Sequence, residues 1–96
     1  MYTLKPTPRP FTVTTSCHNM PALEIMDASK ELHAYLRGMI HQCYVDHEHY
    51  KLRMAAGAFL QGGHSETEGW ILIEFWQSRE AAQAFVDYVN KHAQHL

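Results

Sequence analysis

The stretch His41-Gln42-Cys43-Tyr44-Val45-Asp46-His47-Glu48-His49 holds the densest set of metal-ligating and nucleophilic side chains in the sequence. If it is helical, Cys43 and His47 stand one turn apart on one face, as two ligands of a transition metal would. His47 and His49 then point about 200° apart and cannot share an ion, and His33 and His41 are separated by two full turns. A closed site needs two more ligands, from Cys17, His18 or His64, and no spacing supplies them. The Cys43–His47 face also continues an apolar stripe from Met39 to Tyr50, and burial in that stripe is the reading the spacing favours. A cysteine beside a histidine is a nucleophile pair in other settings, but neither cysteine has a strained elbow or an oxyanion hole around it. No CxxC, HExxH, zinc-knuckle or phosphate-binding glycine pattern occurs.

The second chemical feature is a carboxylate inside an apolar strand. Trp70-Ile71-Leu72-Ile73-Glu74-Phe75-Trp76 is the clearest strand in the chain. Alternation puts Ile71, Ile73 and Phe75 on one face and Trp70, Leu72, Glu74 and Trp76 on the other. An antiparallel sheet with helices on one side shows water a polar second face, whereas this one offers two tryptophans and a leucine. Something beyond two helices is expected to cover it: a second copy, a partner protein, a ligand, or the proline-rich arm folding back. On a covered face the Glu74 carboxyl is expected to rise in pKa and to become a candidate acid or base.

The elements that position these residues follow from pattern. Pro6, Pro8 and Pro10 make residues 1–10 an extended arm, and residues 11–96 form one domain. Phe11 to Cys17 alternates as a first strand. Pro21 and the apolar positions Ile25, Leu32, Leu36, Met39, Ile40, Cys43, His47 and Tyr50 predict helix from about 22 to between 50 and 54. It is one long helix or two abutting ones, with Asp27 or Ser29 able to cap a restart. Ala55 to Gln61, stopped by Gly62-Gly63, is a short strand; His64 to Glu68 is a hairpin loop leading to the 70–76 strand. Ser78 caps a last helix with Ala81, Ala82, Phe85, Tyr88 and Val89 inside, and Lys91, His92 and His95 near its carboxyl end. The expected class is α+β: β-α-β-β-α, half of a ferredoxin-like fold, with two helices on one face of an antiparallel sheet.

Charge and composition narrow the function. The 96 residues carry 8 lysines and arginines against 10 aspartates and glutamates, for a formal charge of −2 with no basic stripe, so nucleic-acid binding is not expected. The 8 histidines make the charge pH-sensitive. The start lacks the apolar run of a signal peptide and no stretch is long enough to span a membrane, so a cytoplasmic protein with free thiols at Cys17 and Cys43 is expected.

The stretch Ile73-Glu74-Phe75-Trp76-Gln77-Ser78-Arg79-Glu80-Ala81-Ala82-Gln83-Ala84-Phe85 resembles the third strand and second helix of the dimeric α/β-barrel proteins, including the antibiotic-biosynthesis monooxygenase-like and YCII-like families. Glu74, Trp76, Ser78, Glu80 and Ala81 carry it. The resemblance implies dimerisation through the open sheet face. The chain departs from that pattern in having no strand after the last helix, and no catalytic position carries over.

These readings point first to a small non-enzymatic interaction protein, a regulator or inhibitor, that self-associates and meets a protein partner. It needs no cofactor. Its candidate contact residues are Trp70, Leu72, Glu74, Trp76, Arg37 and Tyr44, of which Trp, Tyr and Arg are the usual anchors of interfaces. The alternatives are a cofactor-independent enzyme of the α/β-barrel kind, with Glu74, Trp76 and His18 or His47 lining an enclosed pocket, and a histidine-based pH or metal responder.

Overall fold

Helix α1 (Lys30–His41) begins where Ser29 caps it: the Leu32 N–H donates to Ser29 Oγ at 3.1 Å and the His33 N–H to the Ser29 carbonyl at 2.9 Å. The expected helix start at residue 22 is therefore corrected. Pro21–Ile25 is a strand, β2, with Leu23 and Ile25 in the core and Glu24 exposed on the other side. Period two fits these five residues as well as period 3.6 does, and the proline at the strand's first position lacks only a dispensable donor. The computed structural model describes residues 7–41, 47–63 and 69–96.

The remaining elements are β1 (Thr14–Thr15), α2 (His47–Ala56), β3 (Ala58–Gly63), β4 (Ile71–Phe75) and α3 (Arg79–His92). The sheet order is β1-β2-β4-β3 and every neighbouring pair is antiparallel. The clear strand predicted at 70–76 is thus central, between β2 and β3. The helical segment connects β2 to β3 across β4, as in a ferredoxin-like split unit. The fourth sheet position, which the sequence leaves without an occupant after the last helix, is taken by β1 from the other end of the chain, paired as a hairpin with β2.

That hairpin also shortens the first strand to two residues. Phe11 turns into the core instead of continuing alongside β2, with its N–H donated to Asn90 Oδ1 and its carbonyl accepting from Asn90 Nδ2. The preceding residues follow it onto α3: Arg9 donates to the carbonyls of Ala93 and Gln94, a favoured place for a cation at a helix carboxyl end. The arm residues that are described pack on α3 and β2, away from Trp76; residues 1–6 lie outside the described set.

Three helices, rather than two, carry the apolar layer. Leu32, Leu36, Met39 and Ile40 of α1 and Ala82, Phe85, Val86 and Val89 of α3 pack with Leu23, Ile25, Ile71, Ile73 and Phe75 in one cluster. Each such large side chain contributes about 1.5–3 kcal/mol by leaving water. Gly69 lets β4 start close to the β2–α1 turn: its φ is +65° and its carbonyl accepts from the Ala28 N–H at 2.7 Å.

Candidate functional site

The sheet face opposite the helices is built from the even positions of β2 and β4. Ala22 stands across from Glu74, Glu24 across from Leu72, and Phe59 of β3 across from Glu74 on its other side. Ala22, Leu72 and Glu74 are all buried, though Ala22 and Leu72 lie outside the core cluster. Glu74 is only 1% exposed. No helix lies on this side, so its cover is one layer of side chains from the β1–β2 turn.

That turn is organised by Ser16. Its backbone N–H donates to the Met20 carbonyl at 2.8 Å, and its carbonyl accepts from the Asn19 N–H at 2.9 Å. Its Oγ accepts the N–H groups of His18 and Met20 at 3.2 and 3.3 Å. Asn19 takes the left-handed conformation, φ 64°, which asparagine tolerates better than most residues and which closes the turn. The result folds the imidazole of His18 back onto the sheet, Nδ1 2.8 Å from Glu74 Oε2. An ionised carboxylate has no proton to give, so Nδ1 is the donor and Nε2 is the ring's remaining polar atom.

Burial alone pushes the Glu74 carboxyl up. The hydrogen bonds from the Ser16 hydroxyl and from His18, with the charge on His18, outweigh it and hold the group below the ordinary glutamate value. The expected rise is thus overturned: the sequence shows the apolar strand around Glu74 but not the donors that the turn delivers. The Ser16 hydroxyl bonds Glu74 and not the imidazole, so serine is not set up as a nucleophile. What the arrangement does is fix one half-exposed imidazole, 51% accessible, over a buried negative charge.

Trp76 follows on the same face. It is 70% exposed, with its ring centroid 5.3 Å from that of Phe59. Its N–H donates to the Gly57 carbonyl at 3.0 Å, which fixes the backbone under the indole. Trp70 is partly buried and engaged in contacts of its own.

The other candidates are scattered. Arg37 is exposed on α1, beside a surface depression it shares with Ala34, Gly38 and His41, on the helical side of the sheet. Tyr44 and Cys43 lie outside the described residues, as does His64. His47 is exposed at the start of α2. Among the described residues no group of three or more histidines, cysteines, aspartates or glutamates is placed to hold a metal ion. The space between sheet and helices, where a pocket was one expectation, is filled by the core cluster. A depression of about 340 Å³ lies instead at the surface, between residues 7–14 and β2.

Ser16 and Phe59 were not singled out from the sequence. Phe59 had a usable signal, as the one aromatic in a short strand next to β4. Ser16 had none, because its role depends on a two-residue strand. Tyr50 and Met54, 43% and 53% exposed on α2, are the other large apolar side chains open to water among the described residues. No helix among the described residues is long and apolar enough to cross a membrane. Comparison of the chain with protein-family models, with curated proteins and with solved structures finds no match in any of the three.

Proposed function

We propose that this is a small non-enzymatic interaction protein, a cytoplasmic regulator or inhibitor, that self-associates and recognises a protein partner through the aromatic rim of its outer sheet face. The observation that carries the reading is Trp76, 70% exposed yet held in place. Its backbone is pinned to Gly57 and its ring leans on Phe59. A rigid, exposed indole loses little conformational freedom on binding and brings a large apolar area, which is why tryptophan anchors so many interfaces. His18 and Glu24 border it with polar groups, the usual make-up of an interface rim. A distant kinship with the dimeric α/β-barrel proteins is part of this reading; the sheet with helices on a single face is consistent with it.

The His18–Glu74 pair supports a second reading, a cofactor-independent enzyme using His18 for proton transfer. It ranks behind the first because the sheet–helix interior that would enclose a substrate is filled with core side chains.

Affinity capture with the wild-type chain and with Trp76→Ala, read by quantitative mass spectrometry, tests the proposal. A protein enriched in near-stoichiometric amount by wild type and lost with Trp76→Ala, at unchanged melting temperature, is the expected result. Identical capture by both baits overturns it.

A further inference from the structure

Helix α2 carries two apolar stripes, and only one has a partner within the chain. His49, Leu52 and Ala56 face inward: Leu52 packs on the core, Ala56 is fully buried, and the His49 ring meets Tyr35 of α1 and Tyr88 of α3 edge-on at 5.7 and 5.3 Å. The opposite side shows water His47, Tyr50, Lys51, Met54 and Ala55. This is the three-and-four spacing of a packing face, not of a solvated one. Of the three large apolar residues exposed among the described residues, two, Tyr50 and Met54, stand one turn apart on this stripe.

We infer that the outward stripe of α2 is where a second copy of this chain docks, the two α2 helices lying antiparallel about a two-fold axis. The inference rests on the self-association in the reading above and names the surface that performs it. Charge order along the helix selects this occupant and this direction. Glu48 lies in the first turn, and Lys51 and Arg53 follow toward the carboxyl end. Laid antiparallel, the acidic end of one α2 runs beside the cationic end of the other, and the helix dipoles oppose. A parallel arrangement stacks like charges. An isologous contact also closes on itself, leaving Trp76 of each copy, on the far side of its sheet, for a different partner.

Ten residues make about 15 Å of helix, so the interface belongs to the small class, under about 1,200 Å². The dimer is therefore concentration-dependent. Sedimentation velocity from micromolar to near-millimolar protein is expected to show a monomer–dimer equilibrium. Met54→Lys raises the dissociation constant by about tenfold or more. Glu48→Lys and Lys51→Glu each weaken the dimer, and the double variant Glu48→Lys/Lys51→Glu recovers it, because the exchanged charges again meet across the axis. All these side chains point outward, so circular dichroism and melting temperature stay at wild-type values.

A wild-type chain that stays monomeric overturns the inference, as does a Met54→Lys chain that dimerises normally. A double variant no better than its parents overturns the antiparallel direction. Trp76→Ala separates this inference from the functional reading. That variant remains dimeric while losing the captured protein; if it becomes monomeric, the copies meet at the sheet face and the α2 assignment falls. If capture survives while the α2 dimer behaves as described, only the Trp76 reading fails.

Discussion

The side-chain amide of Asn90 holds Phe11 from both sides, accepting its N–H at 2.7 Å and donating to its carbonyl at 2.8 Å. The pair of bonds copies one rung of a β-ladder with a side chain in place of a strand. It explains why the alternating segment after the proline arm stops being sheet: Phe11 is worth more in the core than its backbone is beside β2. Arg9, over the Phe11 ring at 4.7 Å, closes the same joint against the end of α3.

Asn90→Ala removes both bonds and leaves the Phe11 backbone groups to find water. The expected cost is about 1–3 kcal/mol, the usual range for partly buried polar groups left unpaired. Urea unfolding measures it. Hydrogen exchange supplies the local readout, with the Phe11 amide losing protection while the β4 amides keep theirs. Equal protection at Phe11 in both proteins sinks the argument.

Glu74 makes stability depend on pH in a determined direction. Its carboxyl titrates lower in the folded chain than in the unfolded one, where about 4.3 is ordinary. The unfolded state therefore binds the proton more readily, and the contribution of Glu74 is complete above that value. It fades as pH falls through the lower, folded value. Urea midpoints between pH 6 and pH 3 are expected to fall more steeply for wild type than for Glu74→Gln. Parallel slopes show that Ser16 and His18 do not hold the charge as described.

The sequence made the class legible because its clearest signals were long and regular. The 70–76 run became the central strand, the Ser78 cap and the alanine-rich helix after it stand where the pattern puts them, and the hairpin of β3 with β4 follows from Gly62-Gly63. What escaped was local. Ala22 to Ile25 reads equally well with helical or strand period, and only pairing with β4 decides it. Of the site, Glu74 and Trp76 were visible as residues out of keeping with an open face. Their neighbours Ser16 and His18 come from a five-residue turn whose geometry depends on one left-handed asparagine, and no periodicity encodes that.

Ser29 does two jobs that a single substitution separates from the core. Its hydroxyl accepts the Leu32 N–H and donates to the Leu96 carbonyl at 2.6 Å, joining the start of α1 to residue 96. Ser29→Ala is expected to cost about 1–2 kcal/mol, near the top of the range for a lost cap. Ser29→Asp keeps the cap and loses the donor, so it recovers part of the loss. Thermal melts of the three chains check the order wild type, then aspartate, then alanine. An alanine variant as stable as wild type means that Ser29 does not start the helix.

Gly57 connects α2 to β3 with φ +61°, in the region where a side chain is strained by about 1–2 kcal/mol. A Cβ there also meets Trp76 Cβ and Gln77 Cγ, each at 3.0 Å. The glutamine can swing away, but Trp76 Cβ is fixed by the backbone bond from the Trp76 N–H to the Gly57 carbonyl, so the strain falls on the tryptophan. Gly57→Ala is therefore expected to lower stability by more than the φ penalty alone and to shift the indole of Trp76 off Phe59. Denaturation gives the first quantity. Indole fluorescence in a Trp70→Phe background, where Trp76 is the one remaining reporter, gives the second. If the partner surface is the one assigned here, the same variant weakens capture of the partner without touching dimerisation through α2. A Gly57→Ala chain with native stability and unchanged fluorescence shows that the turn does not grip Trp76, and the rigid-anchor argument goes with it.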